Sequence, residues 1–323
     1  MITATGLTKR YGATTAVDDL SFDVTPGIVT GFLGPNGAGK TTTMRLILGL
    51  DAPTAGSVTI DGHVYRDTPA PMQAIGALID PAAVHPGRSA YHHLLWQAQA
   101  GGLPKHRVDD VLQIVGLGDV AGKKVGGFSL GMKQRLGIAS ALLGDPPVLL
   151  FDEPVNGLDP EGIQWIRALL QRFATEGRTV FVSSHLMSEM EQTAGHVLVI
   201  GRGHLVANMP MSAFTAQSSQ THVRVVSARA HELAPFLAAA GAVVTNGTPN
   251  ALTVTGLDTA AVGAIAFTQG IPLDELSSQQ ASLEEAFMEM TRDSVEYRAG
   301  SGPSRDATNP GLPTLELAAE RIH

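Results

Sequence analysis

Short apolar runs alternate with helical stretches along the chain up to about residue 217. The runs predicted as β-strands are residues 28–33, 57–62, 75–80, 147–152, 179–184 and 196–201. The last four are almost entirely apolar, which is typical of strands that helices cover on both faces of a sheet. Because strands and helices alternate, the pattern predicts an α/β fold over residues 1–217.

A mostly helical segment, from about residue 84 to residue 144, interrupts the alternation. The predicted helices are one capped by Ser89 that runs to about Ala100, one over 107–115, and one from about Ser129 to Gly144. Asp145-Pro146-Pro147 ends the last of them, since proline cannot continue a helix. We therefore expect a helical insertion within the α/β domain.

After residue 217 the pattern restarts with shorter units, behind the polar linker TAQSSQT. The predicted order is strand 222–227, helix 230–240, strand 242–246, strand 251–255, helix 257–269 and strand 271–276. This βαββαβ order suggests a small ferredoxin-like α+β module over 218–292. Within it, Ser282 and Glu285 form a capping box for a helix over SLEEAFMEMT. The tail 293–323, rich in Gly, Pro and Ser from Ala299, is predicted to be disordered.

Composition limits the classes of function. The balance of 44% hydrophobic and 16% charged residues is that of a globular protein. The sequence has no cysteine, which excludes disulfides, thiol catalysis and cysteine-ligated metals. A net charge of −8 argues against a general nucleic-acid partner. No window reaches about eighteen consecutive apolar residues and the N-terminus lacks a signal-peptide core, so we expect a cytosolic protein.

A glycine-rich stretch lies between the first predicted strand and a predicted helix over 40–48. Its residues, Gly34, Pro35, Asn36, Gly37, Ala38, Gly39, Lys40 and Thr41, followed by Thr42, fit G-x-x-x-x-G-K-[ST]. Such glycines let backbone N–H groups converge on phosphate oxygens, and the helix N-terminus adds positive potential. We expect Lys40 to reach the β- and γ-phosphates and Thr41 to bind Mg²⁺. The stretch predicts a nucleoside triphosphate site.

Two adjacent carboxylates end the apolar strand in VLLFDEP. The carboxyl ends of parallel strands are where such sheets bind ligands, and adjacent side chains on a strand point to opposite faces. Asp152 is therefore expected to hold Mg²⁺ through water, and Glu153 to orient and deprotonate the attacking water. The alternative is a solvated strand end, which the all-apolar strand before the pair and the glycine-rich loop at 34–41 disfavour.

Together with further segments, these motifs resemble the ATP-binding subunit of an ABC transporter, a P-loop NTPase. The segments are FSLGMKQRLGIASALL (128–143), which resembles the signature and its helix, NGLDP (156–160), which resembles the D-loop, FVSSH (181–185) and KRYG (9–12). The resemblance covers about residues 1–217. It implies that His185 is the switch histidine at the γ-phosphate and that Tyr11 stacks on adenine.

The resemblance also implies partners. It implies a dimer in which Ser129 and Gly131 of one subunit meet the γ-phosphate held by Lys40 of the other. SLGMKQRL, the opening of the helical insertion and SLEEAFMEMT resemble the ATPases of ABC-2-type exporters, which include the group that exports antibiotics such as daunorubicin and bacitracin. That likeness implies a separate ABC-2-type permease, with this chain peripheral on the inner face of the membrane. A soluble ABC ATPase acting on nucleic acid or ribosomes, and an exporter of lipid or polysaccharide, remain alternatives.

Two positions depart from the family pattern. Where the family has Leu-Ser-Gly-Gly-Gln, this chain has Phe-Ser-Leu-Gly-Met at 128–132, so Met132 has no amide to hydrogen-bond a ribose. The family's Q-loop glutamine aligns with Asp80, at the end of IGALID. A carboxylate at Asp80 can still bind Mg²⁺ directly or through water. A simple Asp80-Pro81 turn is the alternative.

Overall fold

The structure is a computed structural model that describes residues 1–80, 83–218, 221–248, 250–280 and 287. The strands are β1 Ile2–Tyr11, β2 Thr14–Val24, β3 Val29–Leu33, β4 Ala55–Ile60, β5 Ile75–Leu78, β6 Val148–Phe151, β7 Thr179–Ser184, β8 His196–Gly201, β9 His204–Pro210, β10 Thr221–Val226, β11 Val243–Thr248, β12 Ala251–Thr255 and β13 Glu275–Gln280. The α-helices are α1 Lys40–Ile47, α2 Pro71–Ala74, α3 Ala90–Ala100, α4 His106–Ile114, α5 Leu130–Leu142, α6 Pro160–Thr175, α7 Met187–Thr193, α8 Met211–Ser218, α9 Ala230–Ala239 and α10 Thr259–Thr268.

A six-stranded sheet with the order β5-β6-β7-β3-β8-β9 organises the α/β part of the chain. Its first five strands run parallel and β9 pairs antiparallel to β8. Every residue of β3, β6 and β7 is buried, as the apolar runs predict. The parallel α/β fold is confirmed, and the carboxyl ends of β3, β6 and β7 meet at one edge of the sheet.

A smaller antiparallel sheet, β2-β1-β4, packs over one face of the parallel sheet together with α1. Phe22 contacts Phe32 and Phe181 at ring-centroid distances of 6.2 and 5.9 Å in this core. The predicted strand 57–62 is displaced: β4 ends at Ile60, because Asp61 and Gly62 have φ values of 48° and 82°. A left-handed pair of residues forms a turn and not a strand.

The helical insertion lies on the other face of the parallel sheet. Helices α3, α4 and α5 share one core cluster with the helix α6. Ser89 caps α3 by accepting a 3.2 Å hydrogen bond from the His92 backbone N–H, as predicted. Asp159 caps α6 in the same way through Gly162 N–H, at 2.9 Å.

The C-terminal strands form a separate four-stranded sheet with the order β11-β12-β10-β13. All neighbours are antiparallel, which is the ferredoxin-like arrangement that the sequence predicts. The predicted strand 271–276 is displaced toward the C-terminus: β13 runs from Glu275 to Gln280, since Pro272 has no N–H to donate to a neighbouring strand. The boundary at residue 217 stays a prediction.

The remaining C-terminal predictions fall mostly outside the described residues. The predicted capping box of Ser282 and Glu285, and the tail 293–323, lie outside them. Phe287 is described: it is helical and buried in the core cluster of the helical insertion. Its position places one residue of the predicted helix against the α/β part of the chain.

Candidate nucleotide-binding site

The glycine-rich loop lies between β3 and α1, at the carboxyl edge of the parallel sheet. A Cβ added at Gly34 would lie 2.6 Å from the Ile200 carbonyl oxygen, and one at Gly39 would overlap the Ala16 carbonyl oxygen. Gly39 also has a φ of 108°, which L side chains rarely adopt. Only glycine at positions 34 and 39 lets the loop lie this close to the backbones of β8 and β2. With Thr42 and Glu153, it lines a cleft of about 280 Å³.

Lys40 is the first residue of α1, and its side chain is buried at the base of this cleft. Its Nζ donates hydrogen bonds to the carbonyl oxygens of Gly34 at 2.6 Å and Pro35 at 3.3 Å. The same atom lies 3.7 Å from Glu153 Oε1. Burial lowers the pKa of Lys40, while the charges of Glu153 and Asp152 oppose the shift. A cation is thus held between a backbone cradle and a carboxylate.

Asp152 follows directly after β6 and is only 7% exposed. Its Oδ2 accepts a 2.7 Å hydrogen bond from the Thr41 hydroxyl, and its Oδ1 accepts one from the Ser183 hydroxyl. Two hydroxyls from neighbouring elements therefore fix the direction of this carboxylate. Mg²⁺ prefers oxygen ligands, and the Thr41 hydroxyl and the Asp152 carboxylate supply two of them beside the glycine-rich loop.

Glu153 turns away from Asp152 because its backbone adopts a left-handed conformation, with φ at 50°. Such a conformation is unusual for a residue with a side chain, and it persists only where neighbouring groups stabilise it. The Glu153 N–H donates to Ser183 Oγ at 2.9 Å, and the carbonyl accepts from Gln134 Nε2 at 3.3 Å. The carboxylate Oε2 lies 2.7 Å from His185 Nδ1. The two adjacent carboxylates thus face different partners, as predicted.

Tyr11 lies at the end of β1 with its ring half exposed. Its hydroxyl donates a 2.9 Å hydrogen bond to Asp51 Oδ2, and Asp51 is held in turn by Arg45 Nε at 2.7 Å. Burial and Asp51 raise the pKa of Tyr11, and the Thr42 hydroxyl opposes this shift. An exposed aromatic ring with a fixed hydroxyl is suited to stacking on a planar ligand.

Ser129 and Gly131 lie at the N-terminus of α5 and are not among the residues that line the cleft around Lys40. The exposed Ser129 caps α5 by accepting a 3.2 Å hydrogen bond from the Met132 N–H. A Cβ added at Gly131 would lie 3.1 Å from the Gly157 carbonyl oxygen. These two residues therefore form a second surface, distinct from the cleft.

Asp80 is exposed and follows the last residue of β5, Leu78, by two positions. The strand β5 pairs with β6, which carries Asp152 at its end. Asp80 does not line the cleft around Lys40. Its role as a metal ligand stays a prediction.

Two further residues support the site but were not predicted from the sequence. Ser183 binds both the Asp152 carboxylate and the Glu153 N–H. Gln134 is buried on α5 and binds the Glu153 carbonyl. The signals that could have indicated them are a serine two positions before the predicted histidine in FVSSH and a glutamine five positions after the predicted serine at the start of α5.

Comparison with known proteins shows the family of this chain. A family model described as ABC transporter matches residues 17–156. The bacitracin transport ATP-binding protein BcrA of Bacillus licheniformis is 46% identical over 213 residues, which cover 65% of this chain and 70% of that protein. The chain belongs to the ATP-binding proteins of ABC transporters. It is therefore an ABC-type ATPase, and the predicted resemblance is confirmed.

Further comparisons extend this result. The lantibiotic transport ATP-binding protein SrtF of Streptococcus pyogenes is 38% identical over 64% of this ABC ATPase and 89% of its own length. A solved ATP-binding subunit of an ABC transporter aligns with a TM-score of 0.61 and 27% identity, over 67% of this chain and 92% of its own. Residues 221–284 match a second family model, described as a domain of unknown function (DUF8746).

Proposed function

We propose that this ABC ATPase hydrolyses ATP to drive export of a peptide antibiotic or a similar drug through a separate membrane permease. The observation that carries the hydrolysis step is the position of Glu153, which lines the cleft with Lys40 and lies 3.7 Å from Lys40 Nζ and 2.7 Å from His185 Nδ1. This arrangement places a cation for the phosphates beside a carboxylate that can accept a proton.

In this proposal the loop from Gly34 to Thr42 holds the triphosphate. Its backbone N–H groups and the N-terminus of α1 face the phosphate oxygens, and Lys40 exchanges its carbonyl partners for the β- and γ-phosphates. Tyr11 stacks on the adenine. Thr42 continues the first turn of α1 beside the phosphates.

Thr41 and Asp152 would hold Mg²⁺, with Asp80 reaching it from the neighbouring strand. When bound, the ion neutralises negative charge on the phosphate oxygens. The chain's own contribution is the fixed orientation of Asp152, which Thr41 and Ser183 hold from either side.

Glu153 acts as the general base. Its carboxylate accepts a proton from water while the water oxygen bonds to the γ-phosphorus, and the bond from that phosphorus to the bridging oxygen breaks to release ADP. His185 Nδ1 lies 2.7 Å from Glu153 Oε2, and the His185 side chain is partly exposed. In the proposed complex, His185 contacts the γ-phosphate and helps to hold the attacking water. General-base help of this kind contributes about 10²–10⁴-fold in rate.

The second surface, Ser129 and Gly131, completes the site of a second copy of the chain. A serine hydroxyl at a helix N-terminus is a suitable anion site, and ATP between two subunits would join it to the Lys40 cleft of the partner. Binding of ATP then favours the closed homodimer, and hydrolysis reopens it.

The permease would be an ABC-2-type membrane protein. Among the described residues of this chain, none of the helices is both long and apolar enough for a bilayer span. In this proposal the ATPase works at the inner face of the membrane through that partner. The bacitracin and lantibiotic proteins among its relatives favour antibiotic cargo over lipid or polysaccharide, and transport over action on nucleic acid or ribosomes.

The test is to express this chain in an antibiotic-sensitive host together with a candidate membrane protein, chosen from the neighbouring reading frames for its apolar segments of about twenty residues. We expect the two proteins to purify together, and resistance to bacitracin or a lantibiotic to rise with the wild-type chain and not with the Glu153→Gln variant. Purification with ribosomes in place of a membrane protein would contradict the proposal.

A further inference from the structure

Gln134 is a buried polar residue with no role in the proposed reaction. It lies on α5, five positions after Ser129, and is 1% exposed. Its Nε2 donates a 3.3 Å hydrogen bond to the Glu153 carbonyl oxygen, and its Oε1 is buried without a hydrogen-bond partner among the described residues. An unpaired buried oxygen destabilises a fold. Stability alone therefore does not explain a glutamine here.

The carbonyl that Gln134 binds belongs to the left-handed residue of the site. The same Glu153 oxygen accepts a 3.2 Å hydrogen bond from the Asn156 N–H, which closes the turn through Pro154. The carbonyl carbon and the Cβ of Glu153 are both bonded to its Cα, so a shift of the backbone at Glu153 moves the carbonyl and the base of the side chain together. A contact to the carbonyl therefore acts on the position of the carboxylate.

The N-terminus of α5 contacts the same turn at its other end. A Cβ added at Gly131 would lie 3.1 Å from the Gly157 carbonyl oxygen, and one added at Gly157 would overlap the Leu130 side chain. The first turn of α5 thus packs on Gly157 while Gln134 binds Glu153. The helix holds the segment 153–157 at both ends.

We propose that Gln134 is a positioning residue that couples the surface of Ser129 to the carboxylate of Glu153 within one subunit. The proposal rests on the proposed function, in which Ser129 meets the nucleotide of the partner subunit. When that contact moves α5, Gln134 carries the movement to the Glu153 carbonyl. Each subunit thereby aligns its own general base only when it has engaged its partner's ATP.

The experiment measures ATP hydrolysis by the full chain with the Gln134→Leu variant. Leucine keeps the volume and removes both the donor and the unpaired oxygen, so the melting temperature is expected to equal or exceed that of the wild type. We expect kcat to fall about five- to tenfold, as for loss of one hydrogen bond, with KM for ATP within about twofold. Gln171→Leu is the matched control, because Gln171 Nε2 also donates to a backbone carbonyl, that of Gln192, at 3.0 Å.

A double variant tests the coupling itself. If Gln134 acts through α5, its loss adds little once Ser129 is gone, so Ser129→Ala with Gln134→Leu is expected to match Ser129→Ala alone within about twofold. Losses that multiply, or a Gln134→Leu variant that behaves like Gln171→Leu, would overturn the coupling while the proposed function stands. A wild-type chain that hydrolyses no ATP would overturn both.

Discussion

The hydroxyl of Thr41 and the carboxylate of Asp152 are joined by a 2.7 Å hydrogen bond across 111 positions of sequence. The bond links the start of α1 to the end of β6, so the phosphate loop and the carboxylate edge of the sheet form one site. The ligands proposed for Mg²⁺ are therefore already in place in the isolated chain. From this arrangement we expect the Mg²⁺ concentration needed for ATP hydrolysis to depend on the Thr41 hydroxyl.

Replacement of Thr41 tests this dependence. Thr41→Val removes the hydroxyl and keeps the shape, whereas Thr41→Ser keeps the hydroxyl. We expect the Mg²⁺ concentration for half-maximal ATP hydrolysis to rise about tenfold in Thr41→Val, as for the loss of one ligand or hydrogen bond, and to change little in Thr41→Ser. Equal behaviour of the two variants in a Mg²⁺ titration would contradict the role of the hydroxyl.

Replacement of Lys40 tests the phosphate site. Lys40→Ala removes a buried cation, and a charge-assisted hydrogen bond of this kind corresponds to about 10- to 100-fold in affinity. We expect the Kd for ATP, measured by equilibrium binding, to rise by that factor. Lys123→Ala, at an exposed lysine outside the site, is the control. Unchanged ATP binding by Lys40→Ala would count against the assignment of the loop.

Tyr11 provides a test of the base-stacking role. Tyr11→Phe keeps the ring and loses only the hydrogen bond to Asp51, whereas Tyr11→Ala loses the ring. Because stacking of a base on an aromatic ring is worth about 1–3 kcal/mol, the Kd for ATP is expected to rise about tenfold in Tyr11→Ala and to stay near the wild-type value in Tyr11→Phe. Unchanged binding by Tyr11→Ala would place the adenine elsewhere.

A buried histidine predicts how stability varies with pH. His93 on α3 is 5% exposed and its Nδ1 has no hydrogen-bond partner among the described residues. Burial, with the charge of Arg88, lowers the pKa of His93. Below the unfolded-state pKa of about 6.5, the unfolded chain therefore binds a proton that the folded chain does not, so the free energy of unfolding falls as the pH falls.

The measurement is chemical denaturation between pH 7 and pH 5. His93→Leu is expected to reduce the loss of unfolding free energy on acidification, by at most about 1.4 kcal/mol per pH unit for one proton. His63→Leu, at an exposed histidine, is the control. A His93→Leu variant that loses stability as steeply as the wild type would show that other groups dominate the acid response.

The parallel sheet could be predicted because its strands are apolar throughout. The bounds predicted for β7 and β8, 179–184 and 196–201, are those of the structure. The strands β1 and β2 are not apolar throughout and were not predicted. Their pairing shifts register between Ala4 and Leu7 and again at Lys9, so the buried positions do not alternate regularly.

The position of the site could be predicted from motif spacing and strand ends. The contacts that support its residues could not be predicted in this way. Asp152 and Glu153 could be placed because an apolar strand ends before them. The left-handed turn at Glu153, and the contacts that Ser183 and Gln134 make to it, join residues that lie 19 to 31 positions apart. Hydroxyl and amide partners at such separations depend on packing, which no local pattern encodes.

The central claim is that Glu153 is the general base for ATP hydrolysis at this cleft, and the Glu153→Gln variant tests it most directly. The purified variant is mixed with ATP and Mg²⁺, and bound ATP, subunit mass and phosphate release are measured together. We predict ATP binding like that of the wild type, a dimer that persists, and turnover reduced at least about 100-fold. Turnover at the wild-type rate would contradict the account.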